Sequence, residues 1–163
     1  MGREIRMVPP NWEHPKSEQH PDQLQTMYNK TYAHAREEWL NGLAAHKPEE
    51  HDGEDYWEYE GPPPEREYYR PYSDEEATWF QLWETVSEGT PVSPPFATKE
   101  ELAQHLAKYG DEWDQSRGKG GWGIERARAF VEDGWAPSFV LQNGVIHVSK
   151  DVPLLLKNEK AGQ

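Results

Sequence analysis

The sequence contains no cysteine, which excludes a disulfide framework, thiolate metal ligation and a thiol nucleophile. No apolar run approaches the length of a membrane span, and the opening MGREIRMVPP has no apolar export segment. A soluble intracellular protein with no membrane partner is expected. Cations are scarce: 17 Lys and Arg stand against 30 Asp and Glu, a net charge of −13 over 163 residues. Proteins that bind nucleic acid directly neutralise its phosphates with clustered Lys and Arg, so this composition argues against that class. Aliphatic bulk is scarce too. Leu, Ile, Val and Phe total 25, a share low enough at this charge to signal disorder. Eight Trp and eight Tyr argue the other way, because aromatic rings bury large areas and replace aliphatic volume. Position decides between them: 5 of the 25 fall in residues 1–72 and 20 in residues 73–163. The second half therefore reads as the folded core, with the first half draped over it.

The expected fold is α+β, with three to four helices packed on a C-terminal β-hairpin, an N-terminal strand and a long acidic loop. Residues 1–21 read as strand Arg3–Val8, stopped by Pro9–Pro10, and an extended arm. Residues 22–153 read as one domain that includes an acidic loop at 46–72, and residues 154–163 as a tail that starts apolar and frays. Leu24, Tyr28, Ala35 and Trp39 recur near helical spacing after Asp22, which predicts a helix over 22–43. Ser73 to Glu76 is a capping box, and Trp79, Leu82, Trp83 and Val86 follow at helical spacing, which predicts a second helix ending at Gly89. Thr98 to Glu101 repeats the capping logic before Leu102, Leu106 and Tyr109, and Ile124 to Val131 marks another helix, ended by Gly134. Asn143–Gly144 suits a type I′ hairpin turn. That register pairs Leu141 with Ile146 and Phe139 with Val148 on one face, expected to pack on the helices.

Few patterns carry chemistry. Gly118 to Gly123 matches G-x-G-x-x-G, but the preceding DEWDQSR is no buried strand, so a connector is expected there and no cofactor is implied. His46, Glu49, Glu50, His51, Asp52, Glu54 and Asp55 crowd together. Such side chains can ligate a divalent cation and activate water, which keeps a metal-dependent hydrolase as the alternative to a non-enzymatic protein. No catalytic residue or metal ligand is assigned: acidic loops gather such groups by composition, His34 and Glu38 read as an ordinary helix-surface pair, and His105 and His147 have no Ser or Asp at a defined spacing for a triad.

Charge is concentrated. Residues 49–76 carry twelve acidic and two basic side chains, while residues 1–48 balance at six each. Among these carboxylates stand Tyr56, Trp57, Tyr59, Tyr68, Tyr69 and Tyr72. A solubilising run needs no aromatics; carboxylates interleaved with flat rings resemble the chemistry of a nucleic-acid strand. The rings serve either to staple the stretch to the core or to contact a partner, and the two roles are compatible. The candidate partner-binding residues are Glu54, Asp55, Tyr56, Trp57, Glu58, Tyr59, Glu60, Glu65, Glu67, Tyr68 and Tyr69, and the expected partner is a protein with a basic surface.

The run from Tyr69 to Val140, with WFQLWETVSEGTPVSPPFAT and GWAPSFV as its most specific parts, resembles small accessory proteins of tailed bacteriophages and prophages; GREIRMVPPNWEHP is similar to their N-termini. The resemblance brings no activity, cofactor or catalytic residue. It implies a viral origin and action in the host bacterial cytoplasm, and raises two roles: inhibition of a host defence system, or a virion or assembly component. Nothing in the sequence fixes the oligomeric state.

Overall fold

The structure, a computed structural model, describes residues 2–86 and 89–161. It is a mixed α+β fold. In chain order the elements are β1 (Arg3–Val8), β2 (Tyr28–Thr31), α1 (Tyr32–Ala45), α2 (Tyr56–Glu60), β3 (Tyr69–Arg70), β4 (Trp79–Glu84), β5 (Thr90–Pro91), α3 (Lys99–Tyr109), α4 (Glu112–Ser116), α5 (Ile124–Asp133), β6 (Trp135–Ala136), β7 (Phe139–Gln142), β8 (Val145–Val148) and α6 (Val152–Ala161). A four-stranded antiparallel sheet has the order β5-β4-β1-β6; β2 with β3 and β7 with β8 form separate pairs. Among the described residues no helix is long and apolar enough to cross a membrane.

The larger sheet is buried on both faces. On one, Phe80 and Leu82 of β4 and Ile5 of β1 pack with Leu102 and Leu106 of α3 and with Phe130 of α5. The hairpin reaches this cluster through Val140. On the other face, Trp79 and Trp83 join Val8, Met27, Tyr72, Ala77 and Trp12. This two-sided burial explains the main departure from the expected elements. Residues 79–84 form a strand, not a helix. Strands covered on both faces lack polar alternation and read as continuous apolar runs, so Trp79, Leu82 and Trp83 mimic a helical stripe. The Ser73–Glu76 box does form, with Ser73 N–H donating to Glu76 Oε2 at 2.8 Å, but it closes a turn.

Other expectations fare differently. Strand Arg3–Val8 forms within its expected bounds. The predicted helix over 22–43 begins only at Tyr32, where Thr31 Oγ1 accepts from His34 N–H, and runs unbroken to Ala45. Residues 46–72 are not one loop, because α2, β3 and two short 3-10 turns lie within them. The stretch expected as a tail is helical to Ala161. α3 starts at the Thr98–Glu101 box, and α5 ends at Gly134 in the left-handed region. The glycine run has a packing purpose: a Cβ on Gly121 would sit 2.2 Å from the Ala107 carbonyl oxygen, where the chain crosses the end of α3.

A buried ion pair and a half-buried histidine tie distant segments together. Arg3 and Asp111 form a buried ion pair at 2.9 Å, and Asp111 Oδ1 caps α4 by accepting from Asp114 N–H at 2.8 Å. His14 sits edge-on to Trp83 at 4.9 Å. Its Nε2–H donates to the Gln25 carbonyl at 2.6 Å, and its Nδ1 accepts from Trp12 Nε1–H at 3.3 Å, so the neutral ring is satisfied at both ends.

Arg3→Met strands the Asp111 carboxylate in the interior and is expected to cost about 3–5 kcal/mol in urea denaturation. Asn at position 111 retains the cap, so Arg3→Met combined with Asp111→Asn should lose clearly less than Arg3→Met alone. An equal or larger loss would show the pair to be uncoupled.

Burial holds His14 below its ordinary value of 6.5; the Gln25 hydrogen bond opposes this and the Arg6 charge adds to it. A histidine with a depressed folded-state pKa contributes its full stability above 6.5 and loses it as pH falls through that value towards the folded pKa. The melting midpoint should therefore drop between pH 7.5 and 5.5, and His14→Phe should reduce the drop measured by thermal denaturation.

Candidate interaction surface

The acidic stretch belongs to a small outlying unit whose neck is the parallel β2–β3 pair, Tyr28 with Tyr69 and Thr31 with Arg70. α1 and α2 contribute no residue to either core cluster, and Ala35 is the buried residue of α1. Aromatic contacts hold the unit instead. Trp39 meets Tyr56 edge-on at 5.4 Å and donates its indole N–H to the Gly61 carbonyl at 3.2 Å. Tyr69 lies 5.2 Å from Tyr28 and 6.3 Å from Tyr32, and the Arg66 guanidinium lies over the Tyr32 ring at 4.8 Å. α2 is only five residues long, yet Asp55 and Glu58 cap it reciprocally.

The candidate residues divide by exposure. Tyr56, Glu67, Tyr68 and Tyr69 are half-buried. Trp57 and Tyr59 are 58% and 52% exposed, and Glu54, Asp55, Glu58, Glu60 and Glu65 are exposed around them. None of the six acidic candidates pairs with a cation among the described residues. Tyr56, Tyr69, Tyr28 and Trp39 line a 340 Å³ groove with Glu38 and Glu60 at its polar side. Partial burial, with the Glu60 charge behind it, raises the Tyr56 hydroxyl above its usual value. Lys30 donates to Glu38 at 2.6 Å, which lifts the lysine pKa and lowers that of the carboxyl.

The histidines of this unit serve packing. The His46 and His51 rings stack at 4.9 Å, Tyr59 stacks on His46 at 5.7 Å and lies tilted against His51 at 4.2 Å, and His46 Nε2–H donates to the Glu54 carbonyl at 2.8 Å. Among the described residues no three His, Asp or Glu side chains are grouped to hold a metal ion.

Folding also brings together two clefts that no motif announces. Thr26, Glu84, Thr90, Glu112 and Trp113 line one of 560 Å³, in which Glu84 accepts from Trp113 Nε1–H at 3.0 Å and from the Thr90 hydroxyl at 2.8 Å. Burial, and then the nearby Asp111, raises the Glu112 carboxyl. In the second, of 170 Å³, Arg3, Arg117, Lys119 and Lys150 surround Asp111 and Asp114. Burial works against the Asp114 anion, but Trp122 Nε1–H and the Lys150 ammonium hold its pKa below the usual carboxylate range. These residues come from segments too far apart for spacing to connect them.

Gly42 tests whether the outlying unit is held by its rings. A Cβ there would fall 1.9 Å from the Tyr56 hydroxyl oxygen. In an ordinary helix interior Gly→Ala stabilises by about 0.5–1 kcal/mol. Gly42→Ala should instead push α2 off α1, speeding proteolysis within residues 46–60 while the global melting midpoint moves by about 2 °C or less. Loss of the whole fold would show that the unit is integral to the core. No family model, no curated protein and no solved structure matches the chain.

Proposed function

We propose that this chain is a bacteriophage accessory protein that works by protein–protein contact, occupying a basic, nucleic-acid-binding surface on a host defence or DNA-processing protein with its acidic, ring-bearing unit. The observation that carries this reading is the exposure, on one short helix, of Trp57 and of Tyr59, which also rests on the His46 and His51 rings, together with Glu54, Asp55, Glu58 and Glu60. Large exposed rings are what partners desolvate as anchors, and uncompensated carboxylates accelerate encounter with a cationic groove. Guanidinium groups already lie over tyrosine rings here, with Arg66 over Tyr32 in the unit and, at its neck, Arg70 over the core ring of Tyr72. An arginine-lined nucleic-acid groove offers the same groups from outside.

Glu54→Gln, Asp55→Asn, Glu58→Gln and Glu60→Gln together remove four charges and leave the side chains that cap α2 able to hydrogen-bond. In pull-downs from bacterial host extract at graded salt, this variant should retain little of the captured partner, and added double-stranded DNA should compete with the unaltered chain. Trp57→Ala with Tyr59→Ala should weaken capture while preserving its salt dependence. Undiminished, salt-insensitive capture by the neutralised variant would overturn the reading.

A further inference from the structure

The β7–β8 hairpin presents an apolar face that the chain itself does not cover. The pairing Phe139↔Val148 and Leu141↔Ile146 forms in the register that Asn143–Gly144 dictates, both turn residues lying at positive φ. The face is reversed from the expectation that these four side chains pack on the helices: Val140, from the other face, packs on the core. Phe139, Leu141, Ile146 and Val148 are 60%, 65%, 66% and 47% exposed. Scattered surface apolar residues are ordinary, but four on one pleated face make a contiguous patch of the kind that marks an interface.

We propose that this face is the contact surface of a homodimer, in which two copies lay hairpin on hairpin about a two-fold axis. Three observations favour a second copy as the occupant. The first is charge. Residues 134–149 contain no Asp, Glu, Lys or Arg in a chain of net charge −13. A basic partner finds no counter-charge here, whereas two copies, which repel elsewhere, meet least repulsion where neither carries charge. The second is area. Four such side chains, half to two-thirds exposed, offer about 500 Å² per copy, so pairing buries about 1,000 Å², the lower bound for a specific interface. Charge depletion at an apolar centre is also the composition of homodimer cores. The third is the strands themselves. A two-stranded sheet is marginal alone, and a partner packed on its exposed face would stabilise it. A two-fold contact closes on itself and leaves no face for further growth.

The test is sedimentation equilibrium of the full chain between about 1 and 100 µM. The expected result is a species of twice the 18.9 kDa chain mass. Raising salt from 50 to 500 mM should hold or strengthen it, the reverse of capture by a basic partner, so dimerisation and partner binding fail independently. Leu141→Glu and Ile146→Glu alter side chains already exposed in the monomer. Each should leave the circular dichroism spectrum unchanged and weaken self-association at least about thirtyfold. A monomer throughout the concentration range would overturn the proposal. So would a folded Leu141→Glu chain that dimerises as tightly as the original, or open-ended growth beyond two copies.

Discussion

The pairing of β1 with β4, in register from Arg3↔Glu84 to Val8↔Trp79, is the constraint on which the rest of the molecule is arranged. It joins the start of the chain to its middle and creates a sheet with two apolar faces. Because strand side chains alternate, Leu82 and Trp83 point into different clusters although they are neighbours in sequence. One face receives α3 and α5, whose Leu102, Leu106 and Phe130 pack against it. The other receives the aliphatic-poor arm, where Trp12, Tyr72 and Trp83 do the same work with rings. The scarcity of Leu, Ile and Val in the first half therefore does not leave that half unfolded. It is organised by a strand that belongs to the core and by aromatic side chains that pack against it.

The legible elements were those whose local signals and final environment agree. Arg3–Val8 is stopped by Pro9–Pro10, α3 is bounded by the Thr98–Glu101 box and Gly110, α5 is ended by Gly134, and the hairpin register is set by Asn143–Gly144. Where burial overrides local pattern, the sequence misleads. Trp79 to Glu84 shows helical spacing because both of its faces are covered, and the Ser73 box caps only a turn. The hairpin shows a further limit: periodicity identifies which residues share a face, but not which face turns inward. Val140 packs on the core, so Phe139, Leu141, Ile146 and Val148 turn outward. The candidate surface was legible in composition, in the crowding of carboxylates and rings. Its division into stapling Tyr56 and Tyr69 and outward Trp57 and Tyr59 depends on contacts with Tyr28, Tyr32 and Trp39, far away in sequence.

Ion pairs form in both parts of the molecule, but those of the outlying unit, Lys30 with Glu38 and Lys47 with Glu50, do not include the carboxylates from Glu54 to Glu60. In the second half, cations are matched to carboxylates: Arg128 with Glu100, Arg126 with Asp151, Lys157 with Glu132 and Lys150 with Asp114. Arg3 from the first strand neutralises Asp111 in the interior. In the outlying unit, Arg66 and Arg70 sit on tyrosine rings, although Arg70 also reaches Asp74. Among the described residues the carboxylates from Glu54 to Glu60 meet no cation, and those of Asp55 and Glu58 accept only from backbone amides at the start of α2. Like charges held close in a folded unit repel, a cost that ring stacking and the β2–β3 neck must offset for the unit to stay formed. A sequence free of other demands would relieve that repulsion by exchanging a few carboxylates for lysine, as natural surfaces commonly mix signs. Keeping both the repulsion and the exposed rings on one short helix is costly to an isolated protein. Contact with a cationic surface removes both costs at once, since it supplies the missing counter-charges and covers Trp57 and Tyr59 in the same step.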